Sequence, residues 1–300
     1  MDLSKVEKYE DLSFSQWIAL GNKFGGLGNV IRVLRGELDV NLEEVKNRFF
    51  DKNGRRITNG LKGTGCAFCD PNKDIYHVQP PFEHTQRLLY FHHALGLTHM
   101  TVEHFMEETE RLLGLIRDDY EISNIIKGVH LPVVFPKMEI NDIGQVIEQW
   151  LVGVKKNYQM IFKDREFFNI LEGHLNNSIF LLPETRHGLL IERMKEGPIV
   201  GIYFPNAMQG FSIDAARRQM YDLPKSLILS GLDTIIGMIM YPDILARDNN
   251  VPRLDLSAFS HQGKPEVPFF VPEKVCLDFG SHGNLNGTSG HTSSGLLFLG

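Results

Sequence analysis

Between Ser178 and Asp248 the chain repeats one pattern three times: a short β-rich apolar run, a polar loop, then a helical pattern. The runs are SIFLL, IVGIYF and LILS, and the loops that follow them are PETRH, PNAMQG and GLD. Strand–loop–helix units in series normally feed a parallel sheet, because a parallel connection must cross over and usually does so through a helix. Each run is almost continuously apolar, as strands covered on both faces require. The pattern predicts an α/β fold with a mostly parallel sheet in the central and C-terminal half. Strands at 178–182, 199–204 and 227–230 are expected to be mutually parallel.

The flanking sequence divides by texture. Residues 1–81 read as a helical and loop-rich region, 82–250 as the α/β domain, and 251–300 as a β-rich segment packed on it. Near the start, Trp17, Ile18, Leu20 and Phe24 have helical spacing, and Gly25-Gly26-Leu27-Gly28 then breaks the helix. Asn29 is expected to cap a second helix running through Ile31 and Leu34 to Leu38. Thr101 opens a helix carrying Phe105, Leu112, Leu113 and Ile116 on one stripe. Pro132 confines the run at 130–135 to a sheet edge or a strand start. Asp142, with Gln145 three residues on, fits a capping box ahead of the widest apolar stripe in the chain, Ile143 to Ile161. Beyond Asn250, PFFVP and VCLDF suggest short antiparallel strands. Residues 280–295 (GSHGNLNGTSGHTSSG) read as a surface loop before a docked terminal strand, LLFLG.

Composition narrows the function classes. The net charge of −6 gives no general electrostatic reason to expect nucleic acid or an anionic membrane as partner. The longest apolar candidate for a span, 227–241, is shorter than the ~20 residues a bilayer needs, and Asp233 interrupts it. The first residues, MDLSKVEKYEDLS, have no apolar core of a signal peptide. Three cysteines are too few for a disulfide framework, so a reducing, cytoplasmic setting is expected.

The segments GPIVGIYFPNAMQGFS, SLILSGLDT, YPDILARD and SSGLLFLG resemble a family of uncharacterised hypothetical proteins of uncultivated bacteria, over residues 178–300. No activity attaches to that resemblance, so it implies no catalytic residues; it implies one natural bacterial domain.

Four constellations carry chemical interest. Cys66-x-x-Cys69 places two thiols on one turn, and His77 and His84 would complete a tetrahedral zinc set. With one CxxC and ill-spaced histidines, the expectation is that no metal is bound; a redox pair is a further option, but no thioredoxin-like strand precedes it, and two unrelated cysteines are the simpler reading. His92, His93, His99 and His104 lack zinc-protease spacing and read as ordinary surface or packed histidines. Ser230, His187 and Asp243 assemble a Ser-His-Asp hydrolase on paper, but no Gly-x-Ser-x-Gly elbow surrounds Ser230. The fourth rests on fold geometry, since ligands of open parallel sheets bind beyond the carboxyl ends of the strands. Arg186, His187, Asn206, Gln209, Ser212, Ser230 and Asp233 would line that edge. Arg186 and His187 beside helix N-termini favour a small anionic ligand. Ordinary capping by Thr185, Ser212 and Asp233 competes with that reading. A non-enzymatic structural or interaction protein is the alternative function, and the sequence assigns no cofactor.

Overall fold

The computed structural model describes residues 13–39, 48–58, 67–69, 83–96 and 100–300. The chain forms two compact units, residues 1–46 and 47–300. In the first, α1 (Phe14–Lys23) and α2 (Leu27–Leu34) are separated at the expected glycines. Gly25 and Gly26 both take positive φ, 80° and 98°, which side-chain-bearing residues resist. Gly26 occupies the N-cap position. Asn29 lies inside α2, and its side-chain amide donates to the Phe24 carbonyl at 2.8 Å. It fastens the turn rather than capping the helix.

The second unit is built on a mixed sheet of eight strands with helices against it. In chain order its elements begin with α3 (His84–Leu95), α4 (Val102–Asp118), β1 (Leu131–Phe135), α5 (Ile143–Ile161), β2 (Glu166–Asn169) and β3 (Ile179–Leu181). They continue with α6 (Gly188–Glu196), β4 (Ile199–Gln209), α7 (Ile213–Gln219), β5 (Leu227–Leu229), α8 (Leu232–Met240) and α9 (Pro242–Leu245). Five strands close the chain: β6 (Arg253–Asp255), β7 (Phe259–His261), β8 (Val267–Pro272), β9 (Cys276–His282) and β10 (Thr292–Phe298). Local signals behave as their chemistry requires. Thr101 and Asp142 cap α4 and α5, accepting from His104 N–H at 3.2 Å and Gly144 N–H at 2.9 Å.

The sheet order is β1-β4-β10-β6-β8-β9-β2, with β5 also paired to β10. The expectation of a mostly parallel sheet is corrected. Among the described residues β10–β6 and β2–β9 pair in parallel, while β1–β4, β4–β10, β10–β5, β6–β8 and β8–β9 are antiparallel. The three expected strands do not pair with one another. β3 joins β7, antiparallel, in a separate two-stranded sheet. β4 and β5 run in the same direction, because each is antiparallel to β10, but β10 lies between them. A continuous apolar run reports burial on both faces and carries no information about strand direction. Nor does it reveal that a strand from the far end of the chain will be inserted.

The inserted strand organises the core. β4 and β10 are buried almost throughout, and all nine residues of α8 are buried. α8 packs against β1 and β4 on one side and against α3 and α5 on the other. β1 is the edge strand that Pro132 foretold, pairing among the described residues with β4 alone. Its edge is covered: the Tyr241 hydroxyl donates to the Pro132 carbonyl at 2.7 Å. Covering an edge in this way removes a template for unwanted strand pairing. Asn157, fully buried on α5, donates to the Tyr90 and Ile239 carbonyls and so ties α5 to α3 and α8. Among the described residues no helix is long and apolar enough to cross a membrane.

Candidate ligand site

The seven residues expected to line one sheet edge separate into three places. His187, Ser230 and Asp233 come together in the core with no exposed surface. The Ser230 hydroxyl and the Gly231 N–H donate to the two Asp233 oxygens, each at 2.6 Å. His187 Nδ1 donates to the Leu229 carbonyl at 3.1 Å, and Nε2 accepts from the Leu232 N–H at 3.1 Å. Nδ1 stands 3.9 Å from Asp233 Oδ1, beyond hydrogen-bond range. The backbone bonds fix one neutral tautomer, and burial pushes the imidazole below its ordinary value. Burial likewise raises the Asp233 carboxyl, against the opposing pull of His187 and the donors on its oxygens. The N–H groups of Gly231 and Leu232, which an anion at the start of α8 would use, are thus bonded to the chain's own side chains. Gly295 closes the cluster from β10. A Cβ there would lie 2.5 Å from both Ser230 Oγ and Tyr203 Cε2, so only glycine fits.

Arg186 points elsewhere. Its backbone is left-handed, with φ 63°, and its guanidinium donates to the carbonyls of Met220, Leu223, Pro224 and Leu227. These carbonyls follow the C-terminus of α7, where positive charge is favoured. Arg186 therefore clamps a turn. Ser212 is an N-cap of α7, accepting from the Ala215 N–H at 3.2 Å. Asn206 is buried on β4 beside Gly128. Gln209 donates to the Gly290 carbonyl at 2.7 Å and accepts from Arg55 at 3.3 Å. Asp243 of the paper triad is held by Arg87 through both carboxylate oxygens, and neither His187 nitrogen meets Ser230. The triad is not formed.

Cys66 and His77 lie outside the described residues, as does His99. Cys69 sits beside Gly210, to which its N–H donates at 2.9 Å, and His84 meets Phe105 edge-on at 5.1 Å. Among the described residues no three His, Cys, Asp or Glu side chains gather as metal ligands would.

A different cluster is open to solvent. Asp255 on β6 is 2% exposed. Its carboxylate lies 3.0 Å from Arg253 Nε and 3.3 Å from Arg253 Nη2, and it meets His282 Nε2 at 3.3 Å. Arg253 and His282 are both partly exposed and both lean on the Phe269 ring, each 5.3 Å from its centre. Neither Arg253 Nη1 nor His282 Nδ1 has a hydrogen-bond partner among the described residues. Beyond them the 283–291 loop curls back, leaving a concavity of about 130 Å³ walled by Asn284, Gly287, Thr288 and Ser289, with Thr292 at its base. Asn284 packs so closely on Gly287 that a Cβ there would lie 2.2 Å from its Nδ2. The N–H groups of Gly287, Thr288 and Ser289 have no partner among the described residues.

The fold fixes this loop from beneath. Gly210 N–H donates to the Thr292 carbonyl, Asp214 N–H to Leu285, and Arg253 N–H to His291. Gln209 adds its bond to Gly290. One residue expected at the sheet edge thus braces the loop. Arg253, Asp255 and His282 share no local sequence signal, because they lie on separate strands, β6 and β9. A partial signal existed: Arg253 and Asp255 alternate within a short apolar stretch, which places two charges on one face.

Comparisons with protein-family models, with curated proteins and with solved structures return no match.

Proposed function

We propose that this chain binds a small molecule through an oxyanion, carboxylate or phosphate, seated between Arg253, His282 and the Asn284–Ser289 loop. The carrying observation is the buried Asp255 carboxylate between an arginine and a histidine that both keep a ring or guanidinium nitrogen free. Burying a carboxylate is costly unless it is paired and hydrogen-bonded. Here that cost fixes the Arg253 guanidinium, a donor, and the His282 ring at the mouth of a polar concavity; with Nε2 donating to Asp255, the outer Nδ1 donates to a ligand only in the imidazolium form. Fixed donors lose less freedom when a ligand arrives, which raises affinity for a given set of contacts. Arginine suits an oxyanion because its planar fork matches two oxygens, and loop N–H groups supply further donors.

Glutamine at 253 retains a donor for Asp255 while removing the charge and the fork. Calorimetric titration of the intact chain with acetate and with inorganic phosphate is expected to show saturable binding of at least one of them. Arg253→Gln and Asn284→Ala are each expected to weaken it at least about tenfold, the loss of one charge-assisted hydrogen bond. Unchanged binding in both variants, or no saturation with either anion, removes the proposal.

A further inference from the structure

We infer, resting on the oxyanion reading above, that the ligand is an amphipathic acid whose hydrocarbon body lies along the outer face of the sheet over Phe269, Ile170 and Phe168. In an antiparallel pair, residues directly opposite share a face. Asp255 stands opposite Phe269, and Phe269 opposite Gly280. A Cβ at Gly280 would sit 3.3 Å from the Phe269 ring and 3.4 Å from Ile170 Cδ1, so these two side chains overhang one bare position. Phe168, on β2, is two residues before Ile170, which directly follows the strand, and lies on the same side. The surface therefore runs from the acid-binding head, Arg253 and His282 against Phe269, over Gly280 of β9 to Ile170, with Phe168 beside it; Asp278, opposite Phe168, places one carboxylate on the same face next to this path. At about 4.8 Å per strand, the three steps from β6 to β2 span roughly 14 Å.

This face breaks the usual alternation of buried apolar and exposed polar positions. Phe167, Leu277 and Phe279 point into the core as expected. On the opposite side, where polar residues belong, Phe168 is 52% exposed and Ile170 is 66% exposed. Scattered apolar residues on a surface need no explanation. A strip that begins at the ring gripped by Arg253 and His282 and continues to the sheet edge is different, because it joins a polar head site to an apolar platform. Binding sites commonly combine a few placed polar groups with apolar walls in this way.

The test is a titration series of acetate, hexanoate and octanoate, with 1-octanol as the uncharged control, all below micelle-forming concentrations. Octanoate is expected to bind at least about tenfold more tightly than acetate, since each methylene buried on the face adds to affinity. The double variant Phe168→Ser/Ile170→Ser, at exposed positions, should bring octanoate to the acetate level while acetate itself is unaffected. Arg253→Gln should weaken both acids. Acetate and octanoate binding equally to the unaltered chain would overturn the inference and leave the oxyanion site standing. Octanol binding as tightly as octanoate would also overturn it, because the head would then be irrelevant. No binding of either acid would overturn this inference, and the oxyanion reading would fall with it only if inorganic phosphate also failed to saturate.

Discussion

Two clusters in this protein contain the same ingredients, an aspartate, a histidine and a hydrogen-bonding partner, and are put to opposite uses. In the Ser230–His187–Asp233 cluster both imidazole nitrogens and both carboxylate oxygens have partners, and none of the three side chains is exposed. In the Arg253–Asp255–His282 cluster the carboxylate is buried, yet 27% of the arginine side chain and 18% of the histidine side chain remain exposed. The first cluster is saturated and holds the start of α8 against β5 and β10. The second has donors left over and space in front of them. Residue identity does not separate scaffolding from a site; spare hydrogen-bonding capacity with access to solvent does.

The sharpest way to break this contrast is at His187. His187→Ala would leave the Leu229 carbonyl and the Leu232 N–H without a side-chain partner and open a cavity beside Phe259. The expected loss is about 4 kcal/mol by chemical denaturation, combining a cavity with unsatisfied buried groups. A loss under about 1 kcal/mol would show that the cluster is not structural.

Arg186 gives the next largest effect. Its guanidinium holds four backbone carbonyls, but the side chain is only partly buried, and solvent would replace some of those bonds. Arg186→Ala is expected to cost about 2 kcal/mol and to leave acetate and phosphate binding unchanged. Lost anion binding with unchanged stability would return the site to the loops that follow β3 and β4.

A smaller effect is a pH dependence with a defined sign. Burial holds the His187 imidazolium below the ordinary histidine value of 6.5. The unfolded chain accepts a proton below that pH and the folded chain refuses it. Stabilisation from this group is full above pH 6.5 and is lost as pH falls through the folded value. Asp233 acts oppositely: burial raises its carboxyl above 3.8, so its contribution is full below that pH and is lost as pH rises through the folded value. His187→Gln, which keeps a donor and an acceptor, is expected to flatten the fall in Tm below pH 6.5. An unchanged profile would mean that the group titrates alike in both states.

How much of this was legible in sequence depended on range. The break at Gly25-Gly26, the caps at Thr101, Asp142 and Ser212, the α5 stripe and the edge position of the Pro132 strand are set by neighbours within a few residues, and each could be read. The place of β10 between β4 and β5 is set by pairing across the whole C-terminal half. Nothing in LLFLG or IVGIYF encodes it. The candidate site shares that difficulty. Arg253 and His282 meet only because β6, β8 and β9 lie side by side, and the loop between β9 and β10 showed only a glycine- and serine-rich texture. Arg186 is ambiguous in sequence for a local reason. A cation after a strand looks the same whether it faces a ligand or four carbonyls from the next turn.

The central claim is that the open cluster, and not the saturated one, meets ligand. Amide chemical-shift mapping during an acetate or phosphate titration tests it most directly. The expected result is saturable shifts concentrated at Arg253, His282 and residues 284–289, needing at least about tenfold more ligand in Arg253→Gln and preserved in Arg186→Ala. Shifts centred instead on residues 186–187 and 230–233, surviving Arg253→Gln, would contradict the account.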